Sequence, residues 1–267
     1  MEAGRVVFEQ ERPAYLQLHY PSAGLADVVA YYFELDLSTH LKPFSIVALP
    51  SLNTLITIPL TATGKKYHSH FNQREQQLKG PKILGNLSHA LTCTYALGAK
   101  EFSVKFKPGV LQQLLQLDVR QLMDGHVNLD EHLPTSLIIA IEKAENCRER
   151  ITLMEAYLNT KIEAIHTHKK LKLVQQAIAS VTHSNEVISI ATISKQVAVS
   201  SATLTRYFNE VLGLSPKQCF KTLRFKNGLQ HYQSYGSSYI YDEIGYTDFS
   251  HFVKDAKNLT NKVPSVL

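Results

Sequence analysis

The chain has 267 residues, 44% hydrophobic and 19% charged, with a formal net charge of +5. That is long enough for two domains of roughly 100 to 170 residues, and the composition excludes wholesale disorder, collagen and coiled coil. No uninterrupted apolar run approaches the ~18 residues of a membrane helix and Met1–Gln10 has no signal-peptide pattern, so a soluble, cytoplasmic protein without a membrane partner is expected.

In chain order, strand-like runs occur at Tyr15–Tyr20, Tyr31–Leu37, Ser45–Leu49, Thr54–Thr63, Leu91–Leu97 and Phe102–Phe106. After Pro108-Gly109 the pattern turns helical. Val110, Leu111, Leu114, Leu115 and Leu117 recur at helical spacing, Leu137–Ala144 and Ile151–Ile165 continue it, and no further strong strand is expected. A short linker is expected near His166–Lys170. Cut there, residues 169–267 hold twelve Lys and Arg against six Asp and Glu, net +6, whereas residues 1–168 carry net −1. A basic second part fits a polyanionic partner and equally an ordinary basic surface.

Beyond the linker, Leu171, Val174, Ala177, Ile178 and Val181 form an apolar stripe. A short helix, Ala191–Gln196, breaks at Val197-Ala198-Val199, and Ser200 stands as N-cap of a second helix. There Leu204 and Phe208, at i and i+4, are the inward pair, leaving Ser201, Ala202, Thr203, Thr205 and Arg206 as outward candidates. Two short helices about a tight turn are the helix-turn-helix arrangement, whose second helix can enter a DNA major groove. Gly213 sits where a C′ residue belongs, and Ser215-Pro216 is a cap followed by proline at the first helical position. The helix Lys217–Gln233 would be roughly 25 Å long. The plan then repeats: a short helix Ile240–Ile244, a turn at Gly245, the cap Asp248, and a helix with Phe252 inward and Phe249, Ser250, Val253 and Lys254 outward.

At these residues the sequence resembles the AraC/XylS family of bacterial transcription regulators. The resemblance covers about Ile188 to Pro264. It is carried by Ser200-x-x-x-Leu204-x-Arg206-x-Phe208, Gly213-Leu214-Ser215-Pro216, Arg224 and above all Gly245-Tyr246-Thr247-Asp248-Phe249-Ser250-His251-Phe252, followed by Lys257 and Pro264. A more diffuse likeness to the domain that precedes this unit in some regulators rests on Tyr20-Pro21-Ser22, Val47-Ala48-Leu49-Pro50, Gly85-Asn86 and Val104–Gly109. The implied fold class is α+β: a barrel-like, β-rich regulatory domain over 1–168 (β-rich to about 107, helical 109–166), then an all-α domain over 169–267 with two helix-turn-helix motifs. The implied function is sequence-specific binding of double-stranded promoter DNA at two consecutive major grooves, as in a transcription regulator, activator or repressor. Ser201, Ala202, Thr203, Thr205, Arg206, Phe249, Ser250, Val253 and Lys254 are the expected DNA contacts. RNA polymerase, a small-molecule effector and a second copy of the chain are the further partners it implies; no cofactor is.

Three positions depart from the family pattern: Ala256 stands for the usual Phe, Asn261 for Gly and Tyr241 for Ala. With a last helix ending at Leu267, they lead to the expectation that the second reader packs less tightly, opens more readily and contributes less, unless Tyr239 or Tyr241 fills the space beside Ala256.

The competing reading is a small-molecule-processing or DNA-repair enzyme joined to a DNA-binding unit; a third is an effector-free DNA-binding protein. Against catalysis, the sequence has no glycine-rich phosphate loop, no GxSxG and no HExxH. His68/His70 and His166/His168 share a face only on a strand and lack a completing carboxylate or thiol, so no metal site is expected. Cys93, Cys147 and Cys219 form no CxxC pair and read as buried small hydrophobes, and His251 as a packing or phosphate-contacting group. Tyr15, Tyr20, Tyr31, Tyr32 and Phe33 either line an effector pocket or fill the core.

Overall fold

The computed structural model describes residues 14–62, 64–69, 73–182, 188–238 and 244–267. Among these, ten strands form two antiparallel sheets. The six-stranded sheet runs β1 (Leu16–His19), β2 (Val29–Asp36), β9 (Lys100–Phe106), β4 (Leu55–Pro59), β7 (Lys82–Leu84), β10 (His126–Asn128). The four-stranded sheet runs β3 (Phe44–Ala48), β8 (Leu91–Tyr95), β5 (Lys65–Ser69), β6 (Glu75–Leu78). All six expected strands are present. β10 corrects the expectation that none follows Val110: three residues with no apolar alternation become a strand because β7 supplies the pairing, with Val127 opposite Ile83.

The pleat sorts the side chains of the larger sheet. Tyr32, Ile56, Ile58, Phe102 and Val104 join the buried core with the helices that follow. Tyr31, Phe33, Leu55, Thr57, Glu101, Ser103 and Lys105 take the opposite face. There Lys65, only 6% exposed, donates to Thr57 Oγ1 (2.9 Å) and to Glu101, whose second oxygen accepts from Ser103 Oγ (3.2 Å). A buried ion pair persists only when its spare hydrogen-bonding capacity is met in this way.

The helices are α1 (Val110–Leu114), α2 (Val119–Leu122), α3 (Thr135–Lys143), α4 (Cys147–Asn159), α5 (Ile162–His166), α6 (Lys169–Thr182), α7 (Ile190–Gln196), α8 (Ser201–Leu212), α9 (Pro216–Tyr235) and α10 (Phe249–Thr260). A β-rich first part and a helical second part are thus as expected. Ile151–Ile165, read as one helical run, is broken between α4 and α5 at Thr160-Lys161. The short helix expected at Ile240–Ile244 lies, but for Ile244, outside the described residues.

One apolar core crosses the linker. It joins Tyr32, Phe102 and Val104 of the sheet to Val110 and Leu111, then to Leu171 and Val174 of α6 and to Leu204, Phe208, Val211 and Leu212 of α8. The join is tight at Gly109, whose φ of +77° suits glycine and where a Cβ would come within 2.4 Å of Val211 Cγ1. A smaller core holds Phe225, Leu229, Ile244, Tyr246, Phe252, Ala256 and Leu259.

Candidate nucleic-acid interface

Short-range capping builds the first helix pair. Ser189 Oγ accepts from Thr192 N–H (3.0 Å) and starts α7; Ser200 Oγ accepts from Thr203 N–H (3.1 Å) and starts α8. Between them Ala198 adopts φ 56°, an unusual left-handed turn for a residue with a side chain, while Val199 N–H returns to Ser194 O (3.0 Å). Ser194 Oγ also donates to Ser201 Oγ (3.2 Å), fixing the angle at which the second helix leaves the turn.

On α8, Leu204, Phe208, Val211 and Leu212 are buried. Ala202 and Arg206 are exposed, and with Thr205 they line a shallow groove shared with Val119, Arg120, Asn209 and Glu210. Thr205 Oγ1 donates back to Ser201 O (2.9 Å), and Thr203 Oγ1 accepts from Ser200 Oγ (3.0 Å), so these hydroxyls are already engaged within the helix. The Arg206 guanidinium lies 5.4 Å from the Tyr207 ring and Nε 3.9 Å from Glu210. Glu210 also accepts from Lys170 (2.5 Å), and these neighbouring cations hold its carboxyl below the usual range.

The connecting helix α9 starts with a complete capping box, Ser215 with Gln218, and Pro216 at the first turn. Its 20 residues make it roughly 30 Å long. Gly213, at φ 70°, ends α8 in the left-handed cap that its position suggests. Arg224 joins α9 to α10 and the turn before it: it donates to Gly245 O (3.2 Å) and to buried Asp255 (2.8 Å) and stacks 4.6 Å from the Tyr246 ring.

α10 is capped by Asp248, which accepts from His251 N–H (2.7 Å), and closed by Asn261 in the left-handed conformation, φ 55°. Ser250 and Lys254 are exposed and Val253 is half-buried. Phe249 does not project freely outward as expected. Its ring stacks on Tyr232 at 5.7 Å, because α9 passes close enough to offer an aromatic face. His251 sits edge-on to Tyr246 at 5.1 Å, a packing role. The chain ends in a 3-10 turn, Pro264–Val266, with Leu267 packed near Leu49.

The α8 and α10 candidates thus form two separate patches, one on each helix. Sequence reading missed Arg120, Asn209 and Glu210 beside the first patch; Asn209 was legible, being one and two turns beyond Arg206 and Ala202 on the same helix face. The remaining sequence candidates are accounted for structurally. Cys93, Cys147 and Cys219 are buried, and burial pushes each thiol up to about 12. His168 Nδ1 accepts from Leu171 N–H (3.1 Å) at the start of α6. His70 lies outside the described residues, among which no group of three His, Cys, Asp or Glu could hold a metal ion. No helix among them is long and apolar enough to cross a membrane. Tyr32 is core, while Tyr31 and Phe33 line a cleft described below.

Residues 193–267 match the model of a helix-turn-helix domain, which spans both patches, and residues 17–128 match that of a domain of unknown function. The second part of the chain thus carries a helix-turn-helix domain, an arrangement that binds DNA through its second helix. No curated protein matches the chain. Among solved structures, the chain is similar to ToxT from Vibrio cholerae O395, with 11% identity over 95% of this chain and 96% of that one and a TM-score of 0.48. It is also similar to a transcriptional regulator with an AraC-type DNA-binding domain from Chromobacterium violaceum, with 25% identity over 35% of this chain and 87% of that one and a TM-score of 0.33.

Proposed function

We propose that α8 and α10 enter successive major grooves of promoter DNA, with Ala202, Thr205 and Arg206 facing base edges in one half-site and Ser250, Val253 and Lys254 in the other. The observation that carries this is the convergence of exposed Ala202 and Arg206 with half-buried Thr205 on a helix whose opposite face is wholly buried. Arg206 is suited to a guanine edge and Ala202 to a thymine methyl. Ser201 and Thr203, tied to the turn and the cap, and Phe249, stacked on Tyr232, serve as supports at the rim of each patch. The work is regulatory rather than enzymatic, and its DNA target places it in the cytoplasm. In a duplex-binding titration, affinity should fall steeply with salt as phosphate contacts release counterions. A flat salt response, or no binding, contradicts the reading.

A cleft of about 1120 Å³ between the larger sheet and α9 supports an effector. Tyr31, Phe33 and Leu55 give it an apolar wall, and Lys105, Lys217, Lys221, Arg224 and Lys226 outnumber its one acidic lining residue, Asp255. That lining suits a small amphipathic anion. A rise in melting temperature with a medium-chain carboxylate, abolished in Lys105→Ala, is the expected result; no shift with any such anion rejects the proposal.

A further inference from the structure

The groove along α8 is not made by the reader alone. Its other wall is α2, a four-residue helix that lies well before the linker and contributes Val119 and Arg120. We propose that the DNA-contacting surface of this protein is composite, with Arg120 binding a backbone phosphate beside the half-site read by α8. The proposal rests on the reading of α8 as a recognition helix.

Three observations carry it. First, α2 is anchored to α8. A Cβ at Gly213 would lie 3.3 Å from Val119 O and 3.4 Å from Met123 Cε, so α2 packs closely against the end of α8. Second, a clamp holds that contact. Asn86, fully buried, donates from Nδ2 to Leu212 O (2.7 Å), one of the carbonyls a helix end leaves unpaired, and accepts Asp124 N–H (2.9 Å) just beyond α2. Gly85 fits against the Leu122 carbonyl so closely that a Cβ there would sit 1.5 Å from its oxygen. Segment 85–86 therefore joins the end of α2 to the end of α8.

Third, the guanidinium is presented rather than packed away. Arg120 is 86% exposed, and Asp118 accepts from its Nε (3.2 Å) and Nη2 (3.1 Å) while capping α2 through Arg120 N–H (2.9 Å). The remaining guanidinium donors face solvent beside Arg206. Ala202, Arg206 and Asn209 stay exposed although α2 is their neighbour, so α2 extends the reading face and does not cover it. Glu210, the acidic residue lining the groove, is compensated by Lys170 and Arg206, and Asp118, next to the groove, orients Arg120. A planar cation at the edge of a recognition helix matches the bidentate geometry of a phosphate.

The test uses the full-length chain and two duplexes: one selected by the wild-type protein from a random pool, and a scrambled one. Arg120→Ala should weaken binding to both by the same factor and lower the slope of log affinity against log salt by about one; Arg120→Lys should keep the slope. Arg206→Ala should instead lose discrimination between the two duplexes. Asn86→Ala should lower the slope as Arg120→Ala does, and the double variant should add nothing further. An unchanged slope in Arg120→Ala overturns the composite surface. So does a gain in affinity, which would make α2 an obstacle, or a loss confined to the selected duplex, which would make Arg120 a base reader. If the wild-type chain binds neither duplex, it is the recognition-helix reading that fails.

Discussion

The unit that holds α7 and α8 and the unit that holds α10 are anchored differently. α7 and α8 share a core with the β-rich part of the chain: Leu204, Phe208, Val211 and Leu212 continue an apolar cluster that begins in the sheet, and Asn86 binds the end of α8. The unit closed by α10 keeps a small core of its own, flanked by Leu49, Tyr232, Phe249 and Leu267. It is tied to α9 through Arg224, Lys221 and Asp255, and to the β-rich part through Ala90 N–H, which donates to Leu259 O (2.8 Å). A similar arrangement of helices therefore does not imply equal stability. The surroundings decide how much of the fold must open for each to move.

The sharpest way to break this comparison is to hollow out each core. Phe208→Ala should cost about 3–5 kcal/mol and lower the main unfolding transition seen by calorimetry. Phe252→Ala should remove a similar amount locally, melting α10 first and leaving the main transition nearly in place. One cooperative transition, lowered equally by both, would show that the small core is not independent. Next, Gly109→Ala should cost about 2 kcal/mol or more, from a left-handed backbone and a clash with Val211, and should loosen α8 rather than α10. Proteolysis within α8 would report it.

In DNA binding the asymmetry should reappear on a smaller scale. Arg206→Ala should cost about 1–3 kcal/mol on a selected duplex and relax one half-site, as expected for a guanine contact. Lys254→Ala should cost less and relax less, since Lys254 is the one long donor among Phe249, Ser250, Val253 and Lys254 and Lys257, exposed one turn further on, remains to hold the backbone. Smallest of all, Asn261→Gly should stabilise the second unit by well under 1 kcal/mol, because glycine takes the φ of 55° that Asn261 holds at the end of α10. A loss of stability there would mean that the asparagine side chain has work beyond tolerating the turn.

Much of the reader was legible because its rules are local. Ser200, Ser215-Pro216, Gly213 and Asp248 each occupy the cap that their spacing announces, and the inward pairs of α8 follow helical periodicity. The β-rich part was legible only where strands alternate. β5 was missed because Lys65 is buried against Glu101, a pairing that inverts the hydropathy pattern, and β6 because Glu75-Gln76-Gln77 lies on an edge. Arg120 and Asn86 are distant in sequence from α8, so nothing short-range could place them beside it. Phe249 was misread for the same reason: its partner Tyr232 belongs to another helix. The space expected beside Ala256 cannot be set against Tyr239 or Tyr241, which fall outside the described residues; Ala256 itself is fully buried.

Native-state hydrogen exchange on the full-length chain tests the unequal anchoring most directly. Amides of α8 should exchange only with global unfolding, whereas those of α10 should exchange through a local opening of lower free energy that barely responds to mild denaturant. Equal protection of α8 and α10, with the same denaturant dependence, would contradict the account and make the two readers one cooperative unit.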